Sequence, residues 1–584
     1  MKWSRTFEVV LCQQQRYPQA KALSSYAKGA WPTYSTEELQ QKIDHYSRAL
    51  WQMGVRPGEK LIIVPDLTSE QWLLLDLAIQ QLGAAVVPFH WSSQPSHFEA
   101  IVEETEARFC FFGDEASRDR LWTAASPNVK TVVLTKGEFS LALDLESTQL
   151  DLEAIKASVK SDELCCIIYT SGTTGRPKGV MLSHDNIVSN IKSVLPLLPL
   201  EPGERVLSFL PFSHIFERTI LYAYLAMGMS VHLAEDREEL VNIFQKVRPH
   251  YFSAVPRILE RMYDNVLAHQ LQQGWYKRRI MRWALKLGTN YREAVKLRPW
   301  YWFQQELAKM LVFNRFRHQL GGKVKAIFSG AAYLDPKLSR LFAAAGIKVR
   351  EGYGMSETAP ILTFNQFSPG LYRFGTVGVP IPGVVVVIDR PDENGQGEIL
   401  VKGPNVMKGY FKQPEETEKV FTPEGWLRTG DVGKFVKNRF LQITDRKKDI
   451  FKTSSGKYVS PLVLENHFRQ SEYIEQIMIL GFKRPHVTAL IKPNFEQLQL
   501  WCMEQEIHWT GPQYMLHNIK VIQKIQEEID PLNESLSKHE QLRGFHLFHE
   551  EWTPESGHLS YTMKLLRPKI VNDFTKQIEA MYQA

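Results

Sequence analysis

Between Lys60 and Asp114 the chain changes character from one short stretch to the next. "KLIIVPD" is rich in β-branched residues. "SEQWLLLDLAIQQLG" has helical spacing and closes on Gly83. "AAVVPFH" is strand-like, "SQPSHFEAIVEETEA" helical, and "RFCFFGD" strand-like again. A helix between two strands lets the second lie parallel to the first, so the alternation restricts this region to an α/β domain with a largely parallel sheet. The pattern returns further on: "KVKAIFSG" reads as a strand, "DPKLSRLFAAAG" as a helix, and "KVREGYG" as a strand ending in a glycine turn. From about Leu371, hairpins take over. "VVVVIDRPDENGQGEILVKG" and "DVGKFVKNRFLQITD" each set a polar turn between two strand-like runs, and after the basic run "DRKKD" the pattern becomes α+β. At 584 residues the chain exceeds what one core supports. The expected architecture is a large N-terminal domain of α/β sheets with a β-rich subdomain (1–445), followed by a small mobile α+β C-terminal domain (446–584).

Composition excludes several classes. A net charge of +6 on this length argues against nucleic acid as a partner. Cys12, Cys110, Cys165, Cys166 and Cys502 include no C-x-x-C pair, so they read as core thiols in a reducing compartment. The start, "MKWSRTFEVVLCQQQRYPQ", does not read as a signal peptide. The best apolar stretch, "WLLLDLAIQQLGAAVVPF", is broken by Asp76, Gln80 and Gln81. A soluble cytoplasmic protein is expected, with peripheral contact to a membrane left open, as is oligomeric state, a homodimer included. The segment from Trp275 to Gly321, rich in Trp, Arg and Lys, reads as helices with a solvated basic face rather than as a membrane contact.

Three stretches carry chemistry. "YTSGTTGRPKG" (Tyr169 to Gly179) packs hydroxyls, glycines and a lysine into one turn. It is not the G-x-x-x-x-G-K-[ST] loop, because Pro177 precedes Lys178 and the hydroxyls lie upstream. It is expected between the strand "CCIIYT" and the helix "SHDNIVSNIKSVLPLL", with backbone N–H groups facing a phosphate chain. "EGYGMSETAP" offers Tyr353 as a flat face for a purine and Glu357 as a hard oxygen ligand for Mg²⁺. "GWLRTGD" ends on Asp431, a carboxylate able to accept from a ribose diol. Taken singly, Glu357 and Asp431 read more readily as solvated loop carboxylates than as ligands.

In this order, the three stretches resemble the adenylate-forming superfamily of acyl-CoA synthetases, luciferases and peptide-synthetase adenylation domains, over nearly the whole chain. "LPFSHIFER" and "AVPRILERMYD" look like segments of its long-chain fatty acyl-CoA synthetase branch. The resemblance implies ATP, Mg²⁺ and coenzyme A, with a fatty acid as substrate. It implies that Thr170, Ser171, Gly172, Thr173, Thr174, Gly175 and Lys178 hold phosphates. Gly330, Ala331, Glu351, Gly352, Tyr353, Gly354 and Ser356 would hold the nucleotide, Thr170 and Glu357 the Mg²⁺, and Asp431 the ribose, with Arg446 beside it. His214 would sit by the fatty carboxylate. Lys564, in "LSYTMKLLR", would be the adenylation lysine and Lys448 the hinge. Lys452 and Gly456 would belong to the thioester-forming face. Residues after Phe212 and from Ser329 to Ala332 are expected along the acyl tunnel. Two positions depart from the family pattern: Tyr561 stands where a proline is usual and Ser455 where a second glycine is common. Two rivals remain, an acyl-adenylate ligase that loads an acyl carrier protein and a catalytically silent acyl- or nucleotide-binding protein.

Overall fold

The computed structural model describes residues 3–26, 31–64, 69–90, 95–122, 129–134, 150–170, 177–234, 239–271, 274–292, 299–454, 457–553, 556–559 and 565–583. The chain forms two compact units. One comprises Met1–Glu260, Gln273–Val386 and Val401–Arg428; the other comprises Arg261–Gln272, Val387–Leu400 and Thr429–Ala584.

The first unit contains the expected parallel sheets. Strands Lys60–Val64, Ala85–Pro88, Phe109–Phe112, Lys130–Val133 and Leu164–Thr170 pair in parallel within a seven-stranded sheet. Their side chains bury Ile62, Val64, Val87, Phe112 and Ile167 together with Phe98 and Ile101 of the crossover helix Pro95–Thr105. This double burial is why the strands read as unbroken apolar runs. A nine-stranded sheet holds Ala326–Ser329 and Lys348–Gly354 side by side in parallel, with Ser329 opposite Glu351. Both carboxyl ends therefore point the same way, toward the edge where α/β sheets place ligands.

The second unit has a three-stranded sheet of Ile474–Leu480, Val487–Pro493 and Leu542–Leu547. Alternation splits its apolar residues between two faces. Ile477 and Ile479 pack with Leu464, Val521 and Ile525 on one side, while Met478 and Leu480 pack with Trp552, Ile570 and Phe574 on the other. The expected second hairpin forms as Leu427–Val436 against Phe440–Arg446, with Lys437 and Asn438 at positive φ in its turn. All five cysteines are buried free thiols.

One polar cluster is wholly enclosed in the first unit. Asp76, on helix Glu70–Gln81, and Arg218, on helix Ile215–Ala226, form an ion pair with both side chains 0% exposed. Tyr222 donates to Asp76, Arg218 Nε donates to the Tyr222 oxygen at 2.9 Å, and Gln80 Nε2 donates to Asp76 Oδ1 at 3.0 Å. Asp76 and Gln80, which break the apolar run in the sequence, are thus satisfied inside the core and lock the two helices together. Asp76→Ala would leave the Arg218 charge buried without its partner. It should lower the unfolding free energy of this unit by about 3–5 kcal/mol in urea titration. A loss under about 1 kcal/mol would contradict the assigned role of the pair.

Candidate active site

The hydroxyl-rich loop leaves strand Leu164–Thr170, as expected, but does not enter a helix. A second strand, Lys178–Ser183, runs antiparallel to the first with Thr170 opposite Lys178, and the helix His184–Val194 begins only after it. The expectation of a strand-to-helix turn is corrected. Ser171, Gly172, Thr173, Thr174 and Gly175 lie outside the described residues, but both ends of their loop are anchored by one hairpin.

The Lys178–Ser183 strand gathers the rest of the site. Strand Gly409–Tyr410 adds to it, with Tyr410 opposite Val180. The turn Ser356–Thr358 also packs on it. Lys178 Nζ lies 5.0 Å from the centroid of the Tyr410 ring and pairs with the Glu416 carboxylate. That contact and Lys419 hold Glu416 down at about 2. The Tyr410 hydroxyl donates to Glu357 Oε1 at 2.9 Å. Tyr410 and Glu357 are both buried, and burial together with the carboxylate pushes the phenol well above its usual range. One tyrosine thus touches the phosphate-loop lysine with its ring and the expected Mg²⁺ ligand with its hydroxyl. The sequence reading missed Tyr410, because nothing in "MKGYFK" locates it opposite Val180.

The Thr170 hydroxyl and the Glu357 carboxylate are hard oxygen donors. Among the described residues no group of three or more His, Cys, Asp or Glu could hold a metal. That donor set fits Mg²⁺, which is usually held by one or two carboxylates plus substrate phosphates.

Gly330 and Ala331 follow strand Ala326–Ser329, and Gly352 to Gly354 end the neighbouring strand. A Cβ on Gly330 would lie 3.4 Å from Phe216 and 3.5 Å from the Gly352 carbonyl oxygen, so the Gly330 turn, the glycine-containing end of the Lys348–Gly354 strand and the segment after His214 converge. Gly354 has no alternative, since a Cβ there would sit 1.8 Å from the Pro360 carbonyl oxygen. Tyr353 stands opposite Thr363 of an antiparallel strand. Ser356 opens the short turn that carries Glu357. The Glu351 carboxyl accepts from the Ser339 hydroxyl at 3.2 Å, and burial pushes it up to about 8.

His214 caps helix Ile215–Ala226, and its ring centroid is 6.0 Å from that of His90. The next polar residues of that segment face the core. Glu217 accepts from the Ser208 and Ser253 hydroxyls of two neighbouring strands and is pushed up to about 7 by burial, while Arg218 pairs with Asp76. The Glu-Arg of "HIFER" is therefore structural, which leaves His214 as the residue of this segment with a candidate role.

In the second unit, Asp431 stands opposite Arg446 across the hairpin, and Arg446 Nε lies 3.5 Å from Asp431 Oδ1. Lys448 occupies the turn that follows, where the Asp449 and Ile450 N–H groups donate to the Arg446 carbonyl. Lys452 and Tyr458 face each other in a short hairpin, with the Lys452 ammonium 4.6 Å from the ring centroid. Its tip, Ser455 and Gly456, lies outside the described residues, as do Tyr561 and Lys564. The ends of the Lys564 loop are fixed nonetheless. Leu559 bridges Leu565, and the Leu566 N–H donates to the His558 carbonyl at 2.8 Å. Arg567, three residues on, makes a two-oxygen contact with the buried Glu465 at 2.8 and 2.9 Å. Arg567 and Glu465 are further residues the sequence reading did not single out.

Tyr410→Phe keeps the ring beside Lys178 but removes the donor to Glu357. A hydrogen bond to a charged group contributes about 1.5–3 kcal/mol. The variant should therefore need more Mg²⁺ for half-maximal rate and lose about 1.5–3 kcal/mol of stability, since the buried Glu357 loses this donor. A Mg²⁺ titration identical to the wild type would remove Tyr410 from the site.

Residues 12–411 match the profile of the AMP-binding enzyme family, and residues 448–584 that of the AMP-binding enzyme C-terminal domain. The long-chain-fatty-acid–CoA ligase FadD15 of Mycobacterium bovis is 31% identical, over 95% of this chain and 93% of its own length. Long-chain-fatty-acid–CoA ligase 1 of Cavia porcellus is 29% identical over 94% of this chain and 82% of its own. Among solved structures, the adenylation domain of a Mycobacterium chelonae carboxylate reductase superposes with a TM-score of 0.75 at 23% identity, covering 100% of this chain and 92% of that one. ATP-bound MatB from Rhodopseudomonas palustris superposes at 0.72 and 21% identity, covering 98% of this chain and 99% of that one. The family models and the near-full-length relatives show that the chain belongs to the AMP-binding, adenylate-forming enzyme family, on its long-chain acyl-CoA synthetase branch.

Proposed function

We propose that this protein joins a long-chain fatty acid to coenzyme A at the expense of ATP, releasing AMP and pyrophosphate. The observation that carries the reading is the grouping of Lys178, Tyr410 and Glu357 around the strand that closes a hydroxyl-rich hairpin. Near-full-length similarity to long-chain-fatty-acid–CoA ligases supports the choice of acid and acceptor.

In the first step a fatty carboxylate oxygen bonds to the ATP α-phosphorus and the bond to pyrophosphate breaks. The carboxylate is ionised at neutral pH, so no base is required. Catalysis rests on positioning and on cations set where charge gathers. The 170–175 loop and Lys178 hold the leaving phosphates, which requires Lys178 to exchange Glu416 for a phosphate oxygen. Tyr410 fixes the Glu357 carboxylate. A Mg²⁺ held by Thr170 and Glu357 would supply further neutralisation of phosphate charge. Gly330, Ala331, Glu351, Gly352, Tyr353, Gly354 and Ser356 frame the nucleotide, Asp431 accepts from the ribose with Arg446 beside it, and His214 orients the acid. Lys564 reaches the oxygens of carboxylate and phosphate from a loop that Leu559, Leu565 and the Arg567–Glu465 pair keep short. In the second step the coenzyme A sulfur bonds to the acyl carbon, AMP leaves, and the thiol proton passes to solvent.

The same reading places the domain boundary at 445/446, with Lys448 as the hinge that exchanges Lys564 for the face carrying Lys452 and Gly456. The start of the C-terminal family profile at residue 448 supports it. Mobile domains of this kind commonly gate turnover.

Lys564→Ala separates the two steps. Pyrophosphate release should fall by about 100- to 1,000-fold, while ready-made acyl-adenylate should still react with coenzyme A. Unchanged pyrophosphate release would overturn the assignment of Lys564 and the two-step scheme built on it.

A further inference from the structure

Glu217 is a buried carboxyl that, among the described residues, no Lys, Arg or His neutralises. Glu217, Ser208 and Ser253 are each 1% exposed, and both serine hydroxyls donate to the carboxyl, one to each oxygen. The cations on the packed elements are engaged elsewhere. Arg218 pairs with Asp76, and Arg205, at the start of the Ser208 strand, donates to the carbonyls of Val247 and Arg248. Burial holds the phenols of Tyr224 and Tyr251 well above their ordinary range, and holds His232, on the strand paired with that of Ser208, down at about 4. All three are therefore neutral near pH 7. Glu217, pushed up to about 7 by burial, changes charge there.

The position of this carboxyl gives the change a consequence. Ser208 ends strand Arg205–Ser208, and Ser253 is the last residue but one of its parallel neighbour Tyr251–Ala254. Beyond Ser208 the chain runs through 209–213 to His214. Glu217 itself lies in the first turn of helix Ile215–Ala226, which His214 caps. One side chain thus ties two strand ends to the start of the helix and fixes the backbone that presents His214. The ionised carboxylate accepts from both serines, and hydrogen bonds to an ion are the stronger kind. Once protonated, one oxygen becomes a donor. One serine must then reverse its hydroxyl, and the charge that strengthened both ties is gone.

We propose that Glu217 is a positioning residue for the acid substrate: as a carboxylate clamping Ser208 and Ser253 it holds the 209–214 segment and His214 in the acid-binding arrangement, and protonation loosens that hold. This role rests on the ligase reading for the identity of the acid. It goes beyond that reading by making acid binding depend on a carboxyl that does not touch the acid.

Pyrophosphate release with a soluble medium-chain acid such as octanoate, ionised throughout the range, tests it from about pH 6 to about pH 8. KM for the acid should rise by up to about tenfold as pH falls through this range, with kcat little changed. Glu217→Gln keeps the size, cannot ionise, and presents one donor and one acceptor like the protonated acid. It should show the high KM at every pH, with no inflection. His214 is retained in that variant, so an inflection belonging to His214 would survive there. Ser253→Ala removes one donor to the ionised form and should move the inflection upward by about one pH unit or more. A merely structural tie would change stability in these variants and leave the profile parallel to the wild type. Melting temperatures follow the same titration without substrate. The raised carboxyl stabilises the fold fully below its unfolded value of 4.5, and that contribution is lost as pH rises to about 7. Glu217→Gln should therefore gain on the wild type across that window and hold a constant lead above it. A wild-type KM that is flat with pH, or a Glu217→Gln profile matching the wild type, would overturn the proposal and leave the ligase reading intact. The wild-type profile and Ser253→Ala still decide if Glu217→Gln fails to fold. Absence of turnover with any fatty acid would strike the ligase reading instead. The melting comparison then decides alone, and a difference that stays constant across the window overturns the clamp.

Discussion

The grouping of Lys178, Tyr410 and Glu357 depends on one antiparallel pairing, the Lys178–Ser183 strand against Leu164–Thr170. It closes the hydroxyl-rich loop at both ends. It sets Lys178 at the mouth of that loop opposite Thr170. Its free edge accepts Gly409–Tyr410, and the Glu357 turn packs on it.

The electrostatics follow from the chemistry proposed. A carboxylate attacking a phosphorus atom needs no proton removed, but it brings together several negative charges. Under that proposal the groups needed are cations, hydroxyls and fixed carboxylates, and no Ser-His-Asp arrangement is required. The buried Glu217 carboxyl, pushed upward, has another duty: it ties two strands through serine hydroxyls. The second unit prepares its loop differently, by covalent shortness and anchorage: a Leu559–Leu565 bridge on one side and the Arg567–Glu465 pair on the other.

The parts legible in the sequence were those encoded locally. The alternation from Lys60 to Asp114 and the hairpin around Lys437 and Asn438 each depend on local spacing, and each forms as expected, whereas the glycines of "KVREGYG" continue the strand and pair with Ile361–Phe364 instead of turning. The strand Lys178–Ser183 was hidden because "KGVMLS" is short, starts on a lysine and glycine, and runs directly into a strongly capped helix. Tyr410 and Glu465 were illegible for a different reason. Their roles arise from contacts with Glu357 and Arg567, 53 and 102 positions away, and no local pattern records such a distance. The helices Trp275–Thr289 and Pro299–Ala308 were visible as helices, but the exposure of Trp300, Trp302 and Phe303 was not, since periodicity does not say which of several apolar stripes finds a neighbour.

The most direct measurement follows AMP and pyrophosphate release from ATP and Mg²⁺ over a ladder of fatty acids, each with and without coenzyme A, while acyl-CoA is quantified in the same samples. The account predicts sustained turnover only when coenzyme A is present, strongest with long chains, and one acyl-CoA formed per AMP released. Release that coenzyme A fails to accelerate, or no release with any fatty acid, would contradict it.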